Sequence, residues 1–180
     1  MTWTSADYKN PIWIFGDSYL DVNNEMRWPY WAEKWGFDNF LLSSFPGETT
    51  EEAMGDFSRA LSKGTPNTVI WTLGMNNKDE GAINPGWLSN TEQMMAKCES
   101  KGINVILATI PNTPSHDNSF KNQYVINSGK RYIDFADAVG ALDRNTWYDH
   151  MLYSDNLHPA EAGARALAMR ALLDVPELMN

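Results

Sequence analysis

Short apolar runs alternate with longer amphipathic stretches along the whole chain. Residues 11–15 form an apolar run that stops at Gly16, the pattern of a strand buried on both faces. Residues 68–73 and 103–108 repeat it with more β-branched side chains, and residues 39–43 are a weaker fourth strand. Residues 131–135 alternate polar and apolar positions, which suits an edge strand. Between these runs lie helices. Thr49 with Glu52 three residues on is a capping box; the helix it opens runs through Met54, Phe57 and Leu61 and stops near Gly64. Residues 87–101 predict a second helix ended by Gly102, residues 118–127 a third, and the stretch before Gly36 another whose start Pro29 restricts. The last helix is expected to begin at Pro159, with Ala160, Ala164, Leu167, Ala168, Ala171 and Leu172 as its apolar stripe.

Strands alternating with helices of this length imply βαβ units and a parallel sheet covered on both faces. No repeat and no linker-like stretch interrupts the pattern. The expectation is a single domain over residues 1–180, an α/β protein built as a three-layer α/β/α sandwich on about five parallel strands. Apolar residues make up 43% of the 180, enough for a sizeable core at that length.

Charge and cysteine content narrow the function classes. A net charge of −9 argues against a nucleic-acid binder, because phosphate-backbone binding needs clustered cations. One cysteine, Cys98, cannot form an intrachain disulfide, and with three histidines it supplies a structural metal site poorly. No metal or other cofactor is implied. No apolar run is long enough to span a bilayer, and residues 1–10 lack a signal-peptide pattern. The expected setting is cytoplasmic, or that of a domain excised from a longer secreted protein.

Parallel α/β sheets bind ligands at the carboxyl ends of their strands. Four short motifs fall there: Gly16-Asp17-Ser18 after the first strand, Gly47 after the second, Gly74 to Asn77 after the third, and Asp155 to Pro159 before the last helix. Each alone reads as a turn or a cap. Together and in this order they resemble the SGNH (GDSL-type) hydrolase family, and the similarity covers residues 11–173. The resemblance implies a flavodoxin-like fold and a serine-dependent acyl hydrolase. It assigns Ser18 as the nucleophile, Asp155 and His158 as the rest of the catalytic triad, and Ser18, Gly47 and Asn76 as the oxyanion hole.

The chemistry of these residue types agrees. A serine hydroxyl needs a base within hydrogen-bond reach, and His158 is the natural one. Asp155 can reach the other ring nitrogen, fixing the tautomer and stabilising the imidazolium. Ser18 is expected to open a helix whose dipole favours the developing oxyanion. The family usually has Asp after the oxyanion Asn; here Asn77 stands there. Among the eight tryptophans, Trp13 and Trp71 read as core, and Trp28, Trp31 and Trp35 as a helical stripe. Trp87 and Trp147 are the expected substrate contacts, since exposed aromatics suit sugar faces. The substrate is then a small-molecule or carbohydrate ester carrying a short acyl group, acetyl foremost. The alternatives are a lysophospholipase, thioesterase or acyltransferase of the same fold, or a carbohydrate-binding domain without turnover.

Overall fold

Five parallel strands form one sheet in the order β2-β1-β3-β4-β5 in the computed structural model, which describes residues 3–78 and 86–180. They are β1 (Ile12–Gly16), β2 (Leu41–Ser44), β3 (Thr68–Trp71), β4 (Asn104–Ala108) and β5 (Arg131–Ile133). Among the described residues four α-helices connect them, α1 (Trp28–Lys34), α2 (Thr50–Leu61), α3 (Gly86–Glu99) and α4 (Ser119–Asn127), and two follow β5, α5 (Phe135–Ala138) and α6 (Glu161–Asp174). This order is flavodoxin-like: the chain leaves β1 for one edge and returns to build outward from β3.

Alternation within the central strands divides the interior in two. Ile12 and Ile14 of β1, Ile70 of β3 and Ile106 of β4 face α1, α5 and α6, while Trp13, Phe15, Val69, Trp71, Val105 and Leu107 face α2, α3 and α4. Each strand residue thus supplies one core or the other, which is why the runs read as continuous rather than alternating. The edge strand β5 is shorter and half-exposed, as its sequence pattern predicts.

Thr49 caps α2 as expected, its N–H donating to the Glu52 carboxylate at 2.6 Å. The last helix differs. Ala160 is its N-cap and Glu161 its first residue, while Pro159 pairs with Leu152 in an isolated antiparallel bridge. Cys98 is fully buried on α3, and burial pushes its thiol up to about 12. Among the described residues no helix is long and apolar enough to cross a membrane.

Candidate active site

The reversal of strand order places the ends of β1 and β3 on either side of one crevice. Asp17 and Ser18 leave β1 there in an irregular turn. Contrary to expectation, Ser18 opens no helix, and α1 begins only at Trp28. A helix dipole therefore plays no part at the nucleophile. The turn is set by Asp17, whose carboxylate accepts the Tyr19 N–H at 3.1 Å and is also hydrogen-bonded by the Met75 backbone. Asp17 is 2% exposed, and burial pushes its carboxyl up to about 6 against the pull of these hydrogen bonds and of His158.

From the other end of the chain, residues 151–160 close into a tight loop. The Tyr153 N–H donates to the His158 carbonyl at 2.9 Å, and the Ala160 N–H to the Met151 carbonyl at 2.8 Å. At its tip Asn156 has φ +57°, a conformation that asparagine tolerates better than most residues. This loop delivers His158 to Ser18: the serine Oγ lies 2.7 Å from His158 Nε2, and His158 Nδ1 lies 2.7 Å from Asp155 Oδ2. The second oxygen of Asp155 accepts the N–H groups of Leu157 and His158, both at 2.9 Å. Partial burial alone would raise the Asp155 carboxyl; the hydrogen bonds from the His158 backbone and ring and from Leu157 outweigh it and hold the group below its usual range. The three residues separated by 140 positions in sequence thus form one hydrogen-bonded relay, with an acid that stays ionised beside the base.

Gly47 and Asn76, two of the three expected oxyanion groups, lie on a second pair of loops. Gly47 has φ +74°, a conformation that disfavours any side chain. Asn76 Nδ2 donates to the Glu48 carbonyl at 2.9 Å, so the two loops that hold Gly47 and Asn76 are tied directly. This bond uses one of the two amide hydrogens of Asn76. Asn77 is buried behind it. Its Oδ1 accepts the Thr50 N–H and its Nδ2 donates to Thr50 Oγ1, both at 3.1 Å. The side-chain oxygen of Asn77 thus supplies the acceptor for an orphan amide at the start of α2.

Two expectations fail. Trp87 and Trp147 are 2% and 5% exposed, and each indole N–H is spent on a backbone carbonyl, Leu73 at 3.0 Å and Asn112 at 2.8 Å. Both belong to the interior rather than to a substrate surface. The aromatic rings that do reach solvent, among the described residues, include Tyr148 and Tyr153. The sequence reading also missed Lys121. Its ammonium is 1% exposed on α4 and binds the carbonyls of Gly74 and Asn77 and the Asn118 side chain, bracing the loop that holds Asn76. No apolar periodicity signals such a residue. Among the described residues no group of three or more His, Cys, Asp and Glu side chains is placed to hold a metal ion.

A flavodoxin-like sheet with a Ser-His-Asp relay at its switch point defines a class of serine hydrolases. The chain belongs to the GDSL-like Lipase/Acylhydrolase family, whose profile it matches over residues 14–166. No curated protein matches it. Among solved structures it is similar to a G-D-S-L family protein from Desulfitobacterium hafniense DCB-2, with 19% identity, a TM-score of 0.74 and coverage of 92% of this chain and 99% of that one. It is also similar to a lipase/acylhydrolase from Enterococcus faecalis, with 21% identity, a TM-score of 0.66 and coverage of 92% and 95%. A variant of an acetyl-xylooligosaccharide esterase from Geobacillus shares 14% identity at a TM-score of 0.66, over 93% of this chain and 94% of that one.

Proposed function

We propose that this hydrolase cleaves short acyl esters, acetyl foremost, from a carbohydrate alcohol through an acyl-enzyme on Ser18. The observation behind the catalytic assignment is the 2.7 Å contact of Ser18 Oγ with His158 Nε2, continued to Asp155. His158 takes the Ser18 proton as Oγ attacks the ester carbonyl, and Asp155 stabilises the imidazolium that results. The carbonyl oxygen becomes an oxyanion, which the N–H groups of Ser18 and Gly47 and the second amide hydrogen of Asn76 receive. His158 then gives its proton to the departing alcohol. A water molecule, deprotonated by the same ring, attacks the acyl-serine and releases the carboxylic acid and Ser18.

The short-acyl reading is supported by the surroundings of Ser18. The cavity behind the nucleophile turn, lined by Asp17, Tyr19, Trp28, Ile110 and Phe135 among others, measures about 20 Å³ and is not lined by Ser18, so it gives a long acyl chain no buried channel. The carbohydrate reading is supported by the polar side chains of Asp21, Asn24 and Arg27 in the otherwise largely apolar cleft at Ser18, and by the likeness to an acetyl-xylooligosaccharide esterase.

The test is a chromogenic ester series from acetate to octanoate, combined with a fluorophosphonate probe. Labelling of Ser18 with rates that fall as the acyl chain lengthens is the expected result. Rates that rise toward octanoate would overturn the short-acyl reading. An unlabelled Ser18 with no turnover would favour a binding domain that lacks catalysis.

A further inference from the structure

A cleft of about 420 Å³ opens at Ser18, between the loop that follows it and the end of β2. Leu20, Val22, Leu42 and Pro46 give it apolar surface, and Asp21, Asn24 and Arg27 bring polar groups into it. The polar groups are preorganised by their own loop. Asp21 Oδ1 accepts the Asn23 N–H at 2.8 Å, Asn24 Oδ1 accepts the Met26 N–H at 2.9 Å, and Arg27 Nη1 donates to the Met26 carbonyl at 2.9 Å. Each side chain is thereby fixed through one atom and keeps other polar atoms unspent: one carboxylate oxygen, an amide NH₂ and most of a guanidinium fork. Arg27 is half-buried and, among the described residues, forms no ion pair.

An aliphatic group laid over these polar atoms would strip water from them and return no hydrogen bond, whereas a sugar ring can set its C–H face on Leu42 and Pro46 and its hydroxyls on the polar atoms. Hydroxyl-rich alcohols are the converse case. Each hydroxyl both donates and accepts, so adjacent hydroxyls of a sugar ring can give to Asp21 and take from Arg27 and Asn24 together. Charge separates neutral from acidic sugars. Burial pulls the Arg27 guanidinium below its usual range, the nearby acids Asp155, Asp21 and Asp17 favour its charge without pairing with it, and the chain as a whole carries −9. A further anion would meet the field of these acids as well as that of Arg27.

We propose that this cleft is the subsite for a neutral sugar ring of the ester substrate, with Arg27 determining specificity for it. The proposal rests on the hydrolase reading of Ser18 and deepens it by naming the partner of the acyl group.

The experiment measures kcat/KM of the wild type, Arg27→Ala, Arg27→Lys and Asp21→Asn on an O-acetylated xylo-oligosaccharide, on an O-acetylated galacturonate and on p-nitrophenyl acetate. The readout is the ratio of each sugar ester to p-nitrophenyl acetate. Loss of a charge-assisted contact predicts a ratio for the neutral sugar that falls by about tenfold or more in Arg27→Ala, chiefly through KM. Arg27→Lys, which keeps the charge and stem but not the fork, should fall between, and Asp21→Asn should lower the ratio less. If Arg27→Ala does not fold, Arg27→Lys and Asp21→Asn decide the matter by the same ratio. An unchanged ratio across the variants would overturn the subsite and leave the esterase reading standing. A tenfold preference of the wild type for the acidic sugar would overturn the neutral assignment. A wild type inactive on all three esters would overturn the hydrolase reading and this proposal with it.

Discussion

Tyr19 Oη donates to the carbonyl oxygen of Leu157 at 2.6 Å, so the residue after the nucleophile grips the residue before the base. The Tyr19 ring also lies 6.0 Å from the His158 ring, centroid to centroid. Two loops from opposite ends of the chain are thereby held in register independently of the Ser18–His158 bond itself. Tyr19 stands behind the reacting groups and positions them. Tyr19→Phe keeps the packing and removes one hydrogen bond, worth about 0.5–1.5 kcal/mol, so the melting temperature should drop by only a few degrees. Steady-state kinetics should show kcat lowered by roughly three- to tenfold with KM nearly unchanged, because the relay aligns less often. A change confined to KM would refute the positioning role.

Ser18→Ala and His158→Ala should each reduce ester hydrolysis to background while thermal melts remain cooperative. Because the relay works as a unit, the double variant should be scarcely slower than either single one. Losses that add in the kinetic comparison would argue against a shared step.

How far the sequence disclosed this site depends on which kind of signal each residue carries. Ser18, Gly47 and Asn76 stood out because each lies in a short motif after a strand, where parallel sheets gather their loops, and Asp155 and His158 because their motif leads into the last helix. The strands were legible because β1, β3 and β4 feed cores on both faces and so read as unbroken apolar runs. Lys121, Asn118 and Asn122 were not. They fill a buried face of α4 with polar groups satisfied by loop backbone, as where Asn122 accepts the Ile110 N–H at 2.6 Å and donates to its carbonyl at 2.8 Å. Hydrophobic periodicity is blind to such a face. Trp87 and Trp147 were misread for a related reason. Nothing in the local pattern shows that their indole N–H groups find backbone carbonyls, which allow complete burial.

Asn76 and Asn77 should separate cleanly despite being neighbours. Asn76→Ala removes an oxyanion donor and its tie to Glu48, so kcat should fall by roughly 10²–10³ with a much smaller change in KM. Asn77→Asp keeps an acceptor for the Thr50 N–H, and Thr50 Oγ1 can reverse its role and donate to the new carboxylate. The Lys121 ammonium on the Asn77 carbonyl adds a favourable charge nearby. Activity on a soluble acetate ester should therefore change by less than about tenfold. Asn77→Ala leaves the buried Thr50 N–H without its acceptor and should cost about 1–3 kcal/mol in denaturant melts. If Asn77→Asp proved as damaging to kcat as Asn76→Ala, the two residues would share one role.

Asp17 ties pH to stability. Its folded-state pKa, about 6, lies above the ordinary 3.8, so the folded chain holds this proton more tightly than the unfolded one. The contribution to stability is complete below the unfolded value and is lost as pH rises through about 6. Between pH 5 and pH 8 the cost of the buried carboxylate grows by on the order of 1.4 kcal/mol. Asp17→Asn retains an acceptor oxygen for the Tyr19 N–H and cannot ionise, so it escapes that growth. The difference in Tm, variant minus wild type, should therefore become more positive by roughly 3–5 °C from pH 5 to pH 8, measured in the same series of buffers. The sign matters more than the size, because the variant can be less stable than the wild type at both ends and still show the trend. A difference that stays flat, or that becomes more negative with rising pH, would mean that Asp17 does not lose a proton against burial in this range. The Tyr19 and Met75 hydrogen bonds would then hold it ionised throughout.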